Sequence, residues 1–178
     1  GKHLRTLDAL TGVAKYTFTC DAAGLLISIA DKDGNITTIE RDGSGDAMAI
    51  IAPGGQRTSL DVDANGYLSS IANPASEATQ LVYTTDGLLT TLTDPKGNVH
   101  RFTYDDLGRL IKDENPAGGY SSLSRTDSDN SYTVTLSSAV GRTNTYLVEN
   151  LSTGDTRRVD TNPDGTKTTT VTSADGTQ

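Results

Sequence analysis

The chain has 178 residues and a formal net charge of -8, a balance that repels nucleic-acid phosphates and anionic lipid surfaces; no basic run reverses it locally. Hydrophobic residues are only 34% of the chain and Trp is absent, against about 45–50% apolar in an ordinary globular domain. The 28 Thr and many Val, Ile and Tyr nevertheless favour pleated backbone, so the composition is that of a wet-faced sheet and not of a disordered segment. Cys20 is the only cysteine, which excludes an intrachain disulfide framework and a cysteine-based metal cluster. No apolar run approaches about 18 residues, so membrane insertion by a helix is not expected, and the first residues lack the pattern of a signal peptide. A chain that opens on Gly1 and not on Met is expected to be an excised or processed segment.

In chain order, residues 1–15 are expected to form a leading strand or linker. Residues 16–20 alternate large with small or polar side chains, as a half-buried strand should; Asp21-Ala22-Ala23-Gly24 turns the chain and residues 25–29 return. Asp31-Lys32-Asp33-Gly34-Asn35 supplies the next turn, since Gly and Asn tolerate the positive φ that hairpins demand. The same reading places strands near 80–83, 88–92, 100–104 and 110–113. No stretch carries the i, i+3, i+4 apolar spacing over the length a helix needs.

These pieces recur. Gly24, Gly45, Gly66, Gly87 and Gly108 are each 21 residues apart, and a second column ten residues later reads Gly34, Gly55, Ser76, Gly97 and Gly118. A third column is Lys32, Pro53, Pro74, Pro95 and Pro116, and an apolar one is Phe18, Ile39, Leu60, Leu81 and Phe102. Fixed-period self-similarity marks a repeat architecture in which each unit is stabilised by its neighbours. Turns at half the period predict antiparallel hairpins between sequence neighbours. A parallel β-solenoid with 21-residue coils is the alternative, and it would pair residue i with i+21. Five repeats fill 16–120. After that the register drifts, and 121–178 read as a degenerate, Thr-rich continuation in which Gly154, Gly165 and Gly176 recur every eleven residues.

The fifth repeat, Phe102-Thr103-Tyr104-Asp105-Asp106-Leu107-Gly108-Arg109-Leu110 followed by Pro116-Ala117-Gly118, resembles the YD repeat of Rhs proteins. Asp94-Pro95-Lys96-Gly97-Asn98 is similar to the family's other common turn. Other repeats depart from the pattern: Thr84 follows Tyr83 where Asp is expected, and Asp46-Ala47 stand in place of Arg-Leu. The resemblance covers residues 16–120. It implies an all-β hairpin meander that is a segment of a spiralling Rhs-type shell, as in Tc toxin subunits, bacterial polymorphic toxins and teneurins. It also implies a structural, non-enzymatic role, enclosing or presenting a toxin or other carboxy-terminal domain, at a bacterial cell surface or after secretion. The expected partners are further YD repeats of a parent protein, or a second copy joined through open sheet edges. The alternative function is an extracellular adhesion module engaging a glycan or a cell-surface protein. The self-cleaving segment that ends the core in that family has no counterpart here.

No catalytic, cofactor-binding or metal-ligating set is predicted. Asp61-Val62-Asp63-Ala64-Asn65-Gly66 matches the first half of a calcium loop, but Ala72 stands where the bidentate Glu belongs, so these are read as turn residues. His3 and His100 lack partners at metal or triad spacing. Tyr83 with Tyr104, and Phe18 with Phe102, could stack sugars, but cross-strand packing is the plainer reading. Asn35-Ile36-Thr37 and Asn150-Leu151-Ser152 match the glycosylation sequon, which matters only in a eukaryotic secreted context.

Overall fold

The structure is a computed structural model that describes residues 2–177. Gly1 and Gln178, the outermost positions of the predicted leading and trailing segments, lie outside the described residues. Contacts divide the chain into two compact units, Gly1–Asn98 and Val99–Gln178. The first holds β1 (Arg5–Leu7), β2 (Ala14–Cys20), β3 (Leu26–Asp31), β4 (Ile36–Arg41), β5 (Ala47–Ile51), β6 (Arg57–Val62), β7 (Leu68–Ala72), β8 (Ala78–Tyr83) and β9 (Leu89–Thr93). The second holds β10 (Val99–Tyr104), β11 (Leu110–Glu114), β12 (Tyr120–Ser128), β13 (Ser131–Ser138), β14 (Thr143–Asn150), β15 (Thr156–Thr161) and β16 (Lys167–Thr172). Within each unit every strand pairs antiparallel with its sequence neighbours, which establishes the meander and excludes the parallel solenoid.

The 21-residue period has a simple composition. Two five-residue turns, one five-residue strand such as β5 and one six-residue strand such as β6 fill it. The short strand of each pair carries a β-bulge just after its turn. Thus Arg41 faces Ala47 while Glu40 faces Ala49, leaving Met48 as the extra residue, and the same shift recurs at β2/β3, β6/β7, β8/β9 and β10/β11. Hairpins built on the second glycine column have no bulge. The two glycine columns therefore make one kind of turn but two kinds of hairpin.

In the first unit the register sorts the side chains onto two faces, because directly opposed residues point the same way and successive residues point oppositely. On one face Phe18 opposes Ile29, Ile39 opposes Ile50, Leu60 opposes Ile71 and Leu81 opposes Leu92. Thr37, Thr58 and Thr79 sit against the Ile of the preceding hairpin, so β-branched contact continues from one hairpin to the next. The other face carries small residues such as Ser28, Ala30, Ala49, Ser59 and Ser70. Across it the Arg57–Glu40 ion pair, 2.5 Å long, bridges from β6 to β4 over β5, where Ala49 lies fully buried.

Ala49 is the only buried apolar residue among those described, and no large side chain is fully buried. Strand backbones lie against only their sequence neighbours, so neither unit folds a second layer over its sheet. The solvent-accessible surface is 11899 Å², whereas a compact monomer of this mass exposes about 8,300 Å². Stability thus rests on ladder hydrogen bonds, half-covered cross-strand pairs and turns.

One turn is strained. Ser76 holds φ at 63°, the only described non-glycine residue in the left-handed region, in a second-column turn where its relatives are glycines. The turn needs that conformation: the Ser76 N–H donates to the Asn73 carbonyl at 2.8 Å and the Asn73 N–H to the Glu77 carbonyl at 3.1 Å. The left-handed region costs an L-residue about 1–2 kcal/mol, partly offset here by the entropy that glycine loses on folding. Ser76→Gly should therefore stabilise the chain by about 0.5–1 kcal/mol. Thermal melts followed by circular dichroism should show a higher Tm, and an unchanged or lower Tm would remove strain from this turn's description.

Candidate functional site

The Tyr-Asp…Gly-Arg-Leu motif is a closed hydrogen-bonding device. After β10 the chain turns through residues 105–109. The Gly108 N–H donates to the Asp105 carbonyl, and the Asp105 N–H to the Arg109 carbonyl, both at 2.9 Å. Gly108, at φ 75°, takes the left-handed position that follows a type I turn. Asp105 Oδ1 accepts the N–H groups of Leu107 at 3.0 Å and Arg109 at 2.9 Å, while Arg109 Nε donates to Oδ2 at 2.8 Å. The Arg109 N–H, followed by its guanidinium, holds the Asp105 carboxyl below its ordinary value.

The same device recurs around the chain with different side chains in the Arg place. Asp31 and Asp94 each accept two turn N–H groups, and Asn35 and Asn98 donate their amides to the second oxygen at 2.8 Å. Asn73 and Asn115 cap their turns as neutral equivalents. In the second repeat, where Asp46 replaces Arg, Arg41 reaches over from β4 and donates to the Gly45 carbonyl at 2.8 Å and the Leu26 carbonyl at 3.1 Å. The half-matched calcium loop is another copy: Asp63 Oδ1 accepts the Asn65 and Tyr67 N–H groups, both at 2.9 Å.

The singled-out residues fall in two places. Phe102, Tyr104 and Leu110 share one face, with Tyr104 opposite Leu110 and Phe102 opposite Asp113. Asp105, Gly108 and Arg109 build the turn beside them. Pro116 lies apart, at the other end of β11, in the turn whose Asn115 Oδ1 accepts the Ala117 and Gly119 N–H groups at 3.0 Å. Proline suits that position of a type I turn because its φ is preset and no ladder N–H is lost. His3 packs edge-on against Phe18, ring centroids 5.0 Å apart, and its Nε2 hydrogen-bonds Thr6 Oγ1 at 2.9 Å. His100 is half-buried on β10, and Cys20 is a half-buried free thiol. Among the described residues no three His, Cys, Asp or Glu side chains gather as metal ligands would. Gly and Pro were read from the sequence as the turn markers, but the column of capping Asp or Asn three residues before eight of the ten positions of the two glycine columns, which does the polar work, was not. That signal was present at Asp21, Asp31, Asp42, Asp63, Asn73, Asp94, Asp105 and Asn115.

This regular, self-satisfied arrangement of turns matches a known repeat architecture along its whole length, residues 1–178: the teneurin YD-shell. The chain belongs to the YD-shell family. Membership extends the likeness beyond residues 16–120 to the first residues and to the Thr-rich strands β12–β16. The YD-shell is a structural module. Among solved structures, the YD-shell chain is similar to a TcdB2-TccC3 crystal structure at 15% identity and a TM-score of 0.58, covering 86% of this chain and 10% of that one. It is also similar to the Tc holotoxin pore of Photorhabdus luminescens at 17% identity and a TM-score of 0.50, covering 91% of this chain and 9% of that one. At such identities the likeness concerns the fold, and the chain spans about a tenth of the proteins it matches. No curated protein matches it.

Proposed function

We propose that this chain is a non-enzymatic segment of a larger YD shell, secreted or displayed at a bacterial cell surface, that encloses or presents another polypeptide. The observation that carries the reading is the single-layered meander. Its side chains are committed to capping turns and lining cross-strand columns, and β16 pairs with β15 alone among the described strands, so its outer edge is open for the next repeat. Coverage of only a tenth of the matched Tc toxin chains supports a segment of a longer wall.

In such a wall, function tracks folding. In the full-length protein that carries this segment, Phe102→Ala and Tyr104→Ala should expose the enclosed domain to added protease in step with the fall in Tm, while His100→Ala should change neither. Loss of protection without loss of stability at any one polar position would instead reveal a binding or catalytic site and displace the shell reading.

A further inference from the structure

One face of the first unit is apolar and uncovered. From β2 to β9 each bulged hairpin sets a large pair on it, from Phe18 with Ile29 to Leu81 with Leu92, and a Thr joins each pair to the next hairpin. None of the paired side chains is buried, and Ile50 is 40% exposed. The register puts only two charged residues of these strands on that face, Asp31 and Arg41, at opposite margins. Both are spent on turns: Asp31 accepts the N–H groups of Asp33 and Asn35, and Arg41 donates to the Leu26 and Gly45 carbonyls. The other face carries Glu40, Arg57 and Asp61.

The size of this face decides what can cover it. Strands β2–β9, about 4.8 Å apart, with five residues of about 3.3 Å rise each, span roughly 38 by 17 Å. Monomers rarely leave so large an apolar patch open. Two such faces laid together cover about 1,300 Å², inside the range of about 1,200–2,000 Å² that stable complexes bury. The large pairs recur every second strand, about 9.6 Å apart, and a Thr closes each row, so the face is ridged with the period of the hairpins.

We propose that this face is where two copies of the chain pair, sheet on sheet, about a two-fold axis between them. Identical sheets share one spacing and one twist, so their rows interleave over all eight strands, and sheets of like twist pack about 10 Å apart at about 30°. A partner of another spacing would match over a hairpin or two only. A charged partner would lose water to a face that offers its charges nothing in return. The contact is face to face and leaves the sheet edges free. It goes beyond the shell reading and does not rest on it.

Sedimentation velocity of the 178-residue chain, from micromolar to submillimolar concentration, tests the pairing. The 18.7 kDa chain should convert saturably into a particle of twice that mass and no larger. Ile50→Lys, which brings two charges into the contact, should leave only monomer. Ile50→Thr repeats the residue that Thr58 already supplies opposite it on the same face. It should weaken pairing by about tenfold, because both copies lose apolar area from the contact, and it decides the matter if the lysine variant does not melt cooperatively. Val82→Lys, on the opposite face at a residue 54% exposed, should pair like the parent chain. A monomer at every concentration, growth past the dimer into open-ended assemblies, pairing indifferent to both Ile50 variants, or equal weakening by Val82→Lys would overturn the proposal.

Discussion

Gly87→Ala should destabilise the chain far more than Gly34→Ala, although both glycines sit in turns at nearly the same φ, 84° and 83°. At Gly34 an added Cβ meets nothing within 4 Å, so the cost is the left-handed backbone alone, about 1–2 kcal/mol. At Gly87 the Cβ would come within 2.8 Å of Cε1 and Cζ of Tyr67, a ring that packs against Tyr83 with centroids 5.4 Å apart. Relief requires the ring to move, which breaks the aromatic contact and its cover over the turn, adding about 1–3 kcal/mol of overpacking cost. Urea melts of the two variants should therefore differ by that second amount. Equal losses would show that Tyr67 swings clear freely and contributes little to the hairpin.

Acid should unfold the protein through its turns. Backbone N–H groups, with Lys15 and the Thr11 hydroxyl assisting, hold Asp8 at about 2, and the Ser173 hydroxyl with the Thr177 N–H does the same for Asp175, against an ordinary 3.8. Asp31 and Asp94 are lowered chiefly by the amides of Asn35 and Asn98, Asp105 by the Arg109 N–H, and Asp164 by the Thr166 hydroxyl. Each group is a stronger acid folded than unfolded, so the unfolded chain takes up protons first. The stabilisation is complete above about pH 5 and is lost as pH falls towards 2. Tm should stay level from pH 7 to 5 and drop steeply below 4. At pH 2 the 15 Lys and Arg and two His also stand uncompensated, and salt screens that repulsion without restoring the caps. Asp31→Asn combined with Asp94→Asn should flatten part of the drop. A Tm at pH 2 equal to that at pH 5 would contradict the capping role.

Where the chain punctuates itself, the fold was legible. Gly24 to Gly118 announce turns because left-handed backbone is costly for any residue with a Cβ, and the alternation in residues 16–20 announces a strand because one side is wetter than the other. The bulges were not legible, since Met48 or Thr90 has no chemistry that marks it as the unpaired residue. Residues 121–150 were hard to read for a related reason: β12 turns into β13 through Asp129 and Asn130 alone, with no glycine, and the strands there lengthen to eight or nine residues.

Because each strand in a unit pairs only with the strands before and after it, nearly every contact closes over the length of one or two hairpins. All-β proteins usually fold slowly, since distant segments must meet before any pairing is rewarded, but this chain asks for no such meeting. A hairpin can form as soon as its second strand is available and then template the next, so order spreads from one end like a zipper. The reverse also holds: pulling on a terminus removes one strand at a time at nearly constant cost.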